Sequence, residues 1–166
     1  MAAITLKGNP FHTCGDLPVT GSVAPGFNLT GGDLSDVTLG SFTGKTVVLN
    51  IVPSFDTPVC AASVRKFNEA VGENENAAVV NVSMDLPFAQ KRFCEGEGLE
   101  HVVNLSAFRA DDFGANYGVT LVDGPLAGLF ARAIVVVNPE GVVAYTELVP
   151  EIAQEPNYEA VLAVLG

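Results

Sequence analysis

Two short apolar runs with one amphipathic stretch between them constrain the fold more than anything else in the chain. Residues 47–52 are apolar and rich in valine, broken only by Asn50, and residues 77–82 are again mostly apolar. Runs this short suit strands buried on both faces. Between them Cys60, Val64, Phe67 and Val71 recur at spacings of four, three and four, which is one helical stripe turned towards a core. Strand, helix, strand at this distance predicts a right-handed crossover and a parallel pair. The polar cluster Gly72-Glu73-Asn74-Glu75-Asn76 ends the helix.

The junction between the first run and the helix reads Pro53-Ser54-Phe55-Asp56-Thr57-Pro58-Val59-Cys60. Thr57 suits an N-cap, and Pro58 suits the first helical position because its missing N–H would have had no intrahelical partner. Cys60 is then the third helical residue. Free N–H groups and the positive end of the helix dipole favour a thiolate there. Equally, Cys60 heads the stripe as a small hydrophobe would, which is the fate of most buried cysteines.

Elsewhere the elements are read from turns and periodicity. Ile4, Leu6 and Phe11 flank Gly8-Asn9-Pro10, which predicts a β-hairpin over residues 4–14. Residues 15–46 are rich in Gly, Pro, Thr and Ser, with an extended piece near 24–29 and turns at Gly31-Gly32 and Gly40. A second helix, capped by Asp85 or Ser83 with Pro87 in its first turn, carries Phe88, Phe93 and Cys94 until Gly96 and Gly98 end it. Residues 99–128 give mixed signals, with Phe108, Phe113 and Tyr117 among several Gly and Asp, and predict no element. Residues 129–137 form a third apolar run interrupted by Arg132; a turn at 138–141 lets 142–148 return antiparallel. Residues 158–165 close the chain as a helix with apolar Val161, Leu162 and Leu165. The order is α/β and thioredoxin-like: a central mixed sheet flanked by helices, with an N-terminal hairpin.

Composition limits the partners. A chain of 166 residues suits one domain spanning 1–166. Its 19 acidic against 8 basic residues leave a formal charge of -11, which repels phosphate backbones and anionic membranes and argues against nucleic acid. The first residues carry neither a basic leader nor an apolar segment, and no later run is long enough to span a bilayer, so the expected location is cytoplasmic. Cysteines at 14, 60 and 94 are odd in number, far apart and without Cys-x-x-Cys, so no structural disulfide framework is expected. His12 and Cys14 form a lone His-x-Cys with no second pair to complete a metal site, and no cofactor is expected. With 48% hydrophobic and only 16% charged residues, some apolar surface should meet a partner subunit.

A guanidinium in an apolar strand needs an anion or a route to water. For Arg132 that anion is either the Cys60 thiolate or a carboxylate, with escape to the sheet edge as the third outcome.

The pattern Pro53-x-x-x-Thr57-x-x-Cys60 resembles the active-site motif of the peroxiredoxins, and the wider run resembles their atypical two-cysteine branch, the thiol peroxidases. Residues 33–39, 60–67, 85–94 and 151–160 carry the same likeness, which extends over nearly the whole chain. The resemblance implies that Cys60 attacks a hydroperoxide and becomes a sulfenic acid. Thr57 would hold the peroxide through its hydroxyl, Pro53 would shield the sulfur from water, and Arg132 would face the reactive cysteine. The backbone N–H of Cys60 is a further donor for the substrate oxygen. Cys94, in Arg92-Phe93-Cys94, matches the resolving cysteine of an intrachain disulfide, although by position alone it is also a small buried residue. Thioredoxin would be the reductant. A homodimer is implied as well, with its interface near the Cys60 loop and residues 105–109.

Ionisation alone cannot account for such a reaction. A thiol of ordinary pKa is ~3% thiolate at neutral pH, so full ionisation supplies at most about thirtyfold, and a lower pKa weakens the nucleophile. Aligned donors must supply the rest. Bridging also requires the two α-carbons within about 7 Å, so one helix end must open locally. Cys14 departs from the two-cysteine pattern and is expected to be an ordinary, slow thiol. Two rivals from other classes are a redox sensor that oxidises once and a non-catalytic binding module on the same fold.

Overall fold

The computed structural model describes residues 1–72 and 74–165, so Glu73 of the polar stop lies outside the described residues. Strands β1 (Ala3–Leu6) and β2 (Asn9–His12) pair antiparallel as the expected hairpin. Its turn places Lys7 and Gly8 at φ of 51° and 83°. Strands β3 (Asn28–Thr30) and β4 (Asp36–Thr38) follow, then a 3-10 turn over Leu39–Phe42. The predicted strand–helix–strand unit is β5 (Thr46–Ile51), α1 (Pro58–Val71) and β6 (Ala77–Ser83). After it come α2 (Pro87–Glu97), β7 (Val102–Ser106), α3 (Phe113–Tyr117), β8 (Ala133–Val137), β9 (Val143–Leu148) and α4 (Tyr158–Leu165).

Seven strands build the main sheet in the order β4-β3-β7-β6-β5-β8-β9. β5, β6 and β7 run parallel, and β8 returns antiparallel against β5. Strand alternation divides the core in two. Val47, Leu49 and Ile51 join Val80, Val82, Leu105, Phe113 and Tyr117 on one face. Val48 and Val79 join Ile134 and Val136 on the other, under Phe67 and Val71 of α1 and Val161 of α4. The whole predicted stripe, Cys60, Val64, Phe67 and Val71, is buried.

Several expectations need revision. Residues 99–128 do hold elements, β7 and α3. β7 is hidden because it offers only three apolar residues, Val102, Val103 and Leu105, split by Asn104, and its parallel register with β6 is what makes it a strand. α3 is only five residues long, too short to show a period. The third apolar run enters the sheet only at Ala133, because Leu129 and Ala131 bond instead to Leu121 and Val119. Arg132 therefore stands just before β8 and not within a strand. Gly96 continues α2; Gly98, at φ 69°, ends it. Leu162 is exposed, and α4 packs through Tyr158, Val161 and Leu165 instead.

Candidate active site

The loop that carries Cys60 hangs from the end of β5. Pro53 within it is buried, and Phe55 is 2% exposed. Asp85, just beyond β6, holds this loop from below: one carboxylate oxygen accepts the Ser54 hydroxyl at 2.7 Å, and the other accepts the Phe55 N–H at 2.8 Å and the Ser83 hydroxyl at 2.7 Å. Asp85 therefore does not cap α2 as expected. Nor does Ser83, whose hydroxyl accepts from Gln90 Nε2 at 3.0 Å. Leu86 occupies the N-cap with no side-chain bond, and Pro87 takes the first helical position.

Thr57 is the N-cap of α1 by its extended backbone, φ -90° and ψ 144°, but its hydroxyl does not cap. It donates to Ser54 C=O at 3.1 Å. The first backbone bond of the helix runs from Ala61 N–H to Thr57 C=O at 2.9 Å. The N–H groups of Val59 and Cys60 precede that rung, as helix-start donors do.

Cys60 is 0% exposed and shares one small buried cluster with Val52, Phe55, Val64 and Cys94. Both thiols are free. Cys94 lies near the end of α2, where Leu99 N–H reaches back to its C=O at 3.0 Å around Gly98, a hydrogen-bonded helix stop. Its sulfur accepts Asn104 Nδ2 at 2.9 Å. Burial pushes the Cys94 thiol above its ordinary pKa; the Asn104 N–H opposes this and the Glu97 charge adds to it. Cys94 also borders an open groove of about 720 Å3 with Asp33, Lys91, Glu95 and Leu99.

Arg132 is 2% exposed. Its Nε donates to Ile152 C=O at 2.9 Å, while Nη1 is buried without an acceptor. No hydrogen bond joins it to Cys60, and no carboxylate pairs with it, among the described residues. Ile51 pairs with Ala133, so one further step of that antiparallel register brings Arg132 level with Val52. Val149 N–H bonds to Arg132 C=O at 3.0 Å, which continues the β8–β9 register by one residue. By strand alternation Arg132 then shares the face of Ile134 and Val136, the face covered by α1.

Two groups of residues around the cysteines were not singled out from sequence. Asp85 could be read only as a cap. Asn50 and Asn81 did leave a signal, since each interrupts an apolar strand, but Asn104 sits in a segment with no legible element. Cys14 lies apart from these residues: it is exposed, and its thiol donates to Gly114 C=O at 3.4 Å. His12 bonds Asp123 at 2.7 Å.

Residues 19–162 match the redoxin family. Thiol peroxidases of Mycobacterium bovis and Mycobacterium tuberculosis are 64% identical over 166 residues, covering 100% of this chain and 99% of theirs. The chain belongs to the redoxin family, among the thiol peroxidases. The fold of this redoxin superposes on a peroxiredoxin-like protein from Aquifex aeolicus with a TM-score of 0.93 at 42% identity, over 99% of this chain and 96% of the other. A thiol peroxidase from Chromobacterium violaceum, 23% identical, shares the fold with a TM-score of 0.91 over 98% of this chain and 94% of its own. Among the described residues of this redoxin, no helix is long and apolar enough to cross a membrane.

Proposed function

We propose that this redoxin reduces hydrogen peroxide and organic hydroperoxides with Cys60. The Cys60 thiolate attacks the terminal peroxide oxygen, the O–O bond breaks, and water or an alcohol leaves after taking a proton. Cys60 is left as a sulfenic acid. Cys94 then attacks that sulfur, an S–S bond forms, the S–O bond breaks, and the oxygen departs as water. A thioredoxin dithiol supplies the two electrons that reopen the disulfide. The observation that carries the proposal is that two free thiols share one buried cluster, one at a helix start and one near a helix end.

The remaining roles have their own support. Arg132 brings a buried, unpartnered Nη1 on the α1 face, a donor for charge that develops on the peroxide. The Thr57 hydroxyl donates to Ser54 C=O and keeps its acceptor lone pairs for a peroxide O–H. Pro53, buried at the foot of the loop, keeps water from the sulfur. Residues 1–166 act as one domain in this scheme, in the reducing cytoplasm where a dithiol can recycle the enzyme.

A homodimer is part of the proposal. Leu86, Phe88 and Phe108 are 50%, 65% and 39% exposed, near the start of α2 and just after β7. Within the expected 105–109 segment only Phe108 and Arg109 are exposed; Leu105, Ser106 and Ala107 are buried.

The test is continuous consumption of hydrogen peroxide and of an alkyl hydroperoxide, driven by thioredoxin, thioredoxin reductase and NADPH. Sustained turnover is expected. A single stoichiometric oxidation would reduce the protein to a sensor, and no loss of thiols would remove the peroxidase assignment.

A further inference from the structure

A row of asparagines crosses the sheet beneath the two cysteine-bearing helices. Asn50, Asn81 and Asn104 stand in register on β5, β6 and β7. Asn50 Nδ2 donates to Asn81 Oδ1 at 2.9 Å, Asn81 Nδ2 to Asn104 Oδ1 at 3.1 Å, and Asn104 Nδ2 to Cys94 Sγ at 2.9 Å. At the other end Asn50 Nδ2 also donates to Ser63 Oγ at 3.3 Å, and Ser63 Oγ donates to Cys60 C=O at 2.9 Å. The row thus runs from the backbone of one cysteine to the sulfur of the other. From strand to strand each amide directs an N–H towards Cys94, and Asn50 Oδ1 is buried without a partner among the described residues.

Packing alone does not explain these residues. Asn50 and Asn81 are 0% exposed in strands whose other buried residues, Ser83 apart, are valine, leucine and isoleucine, and a buried amide stabilises a core no better than an apolar side chain of that size. What the row does achieve is orientation. Asn81 holds the Asn104 oxygen, so the Asn104 NH2 cannot rotate away from the sulfur. A hydrogen bond from a neutral donor strengthens when its acceptor becomes an anion. Cys94 needs such help, because burial and Glu97 both oppose its ionisation.

We propose that Asn104 is a positioning residue for the second chemical step: its amide, locked by Asn81 and Asn50, aims an N–H at Cys94 Sγ and favours the thiolate that attacks the Cys60 sulfenic acid. The inference rests on the assignment of Cys60 as the attacking and Cys94 as the resolving thiol. Cys94 gives up its proton while still on the row. The new S–S bond then displaces the sulfenic oxygen as hydroxide, which takes up a proton to become water, with no electrons from outside. Other charges near Cys94 are those of Glu97, paired with Arg65 at 3.4 Å, and of Asp33, Lys91, Glu95 and Glu100 along the groove. They lie at or near the surface and are screened by salt, whereas the Asn104 contact is not.

Asn104→Ala removes the donor without adding a charge; Asn104→Asp, the second variant, keeps an oxygen for Asn81 but sets a carboxylate in place of the donor, which opposes the thiolate further. Rapid-quench mass spectrometry after one equivalent of peroxide, over a range of pH, resolves Cys60 oxidation from disulfide formation. The first step should stay within about twofold of wild type. The second should slow by about tenfold at neutral pH, as loss of a hydrogen bond to a charged group implies. Its pH midpoint should rise by about one unit, so that alkaline pH restores the rate. An unchanged midpoint in both variants, or a loss equal at every pH, overturns the role of Asn104. Failure of the underlying site assignment shows separately, as a wild-type protein that forms no Cys60–Cys94 disulfide.

Discussion

The ring of Phe55 meets the ring of Phe93 edge-on, with centroids 5.6 Å apart. Phe55 belongs to the loop that carries Cys60, and Phe93 precedes Cys94 on α2. In the proposed scheme these are the two segments that rearrange to let the sulfurs bond, and the aromatic pair holds them together, with the Asp85 clamp on the same loop. Such a pair is worth about 1 kcal/mol beyond its buried area. Phe93→Leu should lower global stability by about that amount and speed disulfide formation a few-fold, because the closed state loses more than the open one. Urea unfolding and rapid-quench mass spectrometry would measure the two effects. A slower disulfide step would mean that the pair guides the sulfurs together and does not restrain them.

Cys60→Ser should abolish peroxide reduction, while Cys94→Ser should still permit one oxidation of Cys60. Intact-mass measurement after one equivalent of peroxide decides between them. Turnover at the wild-type rate in Cys60→Ser would show that the nucleophile is another residue.

Arg132→Met should slow Cys60 oxidation by more than the accompanying change in thiolate fraction. The expected excess is about tenfold or greater, the order of magnitude of a lost charge-assisted hydrogen bond in a transition state. Peroxide kinetics should be compared with the Cys60 pKa measured in each protein. A loss fully accounted for by ionisation would limit Arg132 to tuning the thiol.

Alkaline pH should destabilise the fold, and Tyr117 should contribute. Burial raises its phenol well above the ordinary value of 10.0, and its hydroxyl donates to Pro25 C=O at 2.7 Å. Because the folded pKa is the higher one, this stability is complete below the unfolded value and is lost as pH rises above it towards the folded value. Burial raises Tyr145 and Tyr158 in the same direction. Tyr117→Phe should lose about 1 kcal/mol at neutral pH, through the missing hydrogen bond, and should show a shallower alkaline decline. Urea midpoints from neutral pH to about pH 11 provide the measurement; an unchanged decline would assign it to the other groups.

Cys14→Ala should leave peroxidase turnover unchanged, since this exposed thiol lies outside the cluster of Cys60 and Cys94. Peptide mapping of the oxidised protein should find Cys60 joined to Cys94 and Cys14 free. Cys14 in the main disulfide would overturn the two-cysteine scheme.

The elements that could be read from sequence are those whose signal is local. The Cys60, Val64, Phe67, Val71 stripe, the flanking valine-rich strands and the hairpin turn at Gly8 each show within a turn or two of chain, because helix and strand periods repeat at that scale. The placing of Cys60 at a helix start is equally local, since Thr57 and Pro58 adjoin it. Strand β7 was not legible, because a run broken by Asn104 becomes a strand only through its register with β6.

Tertiary structure alone decided the partners of the polar residues. Asp85 has the sequence of a helix cap, yet its carboxylate bonds Ser54, 31 positions away. Asn50 and Asn81 stand equally far apart in the chain and meet only because β5 and β6 pair in one register. Arg132 was recognisable as a guanidinium among apolar residues, but its place before β8, level with Val52, follows from the register of β5 with β8. A polar side chain can satisfy its hydrogen bonds in several ways locally. Which one it adopts depends on how distant strands align, a property that a single segment does not contain.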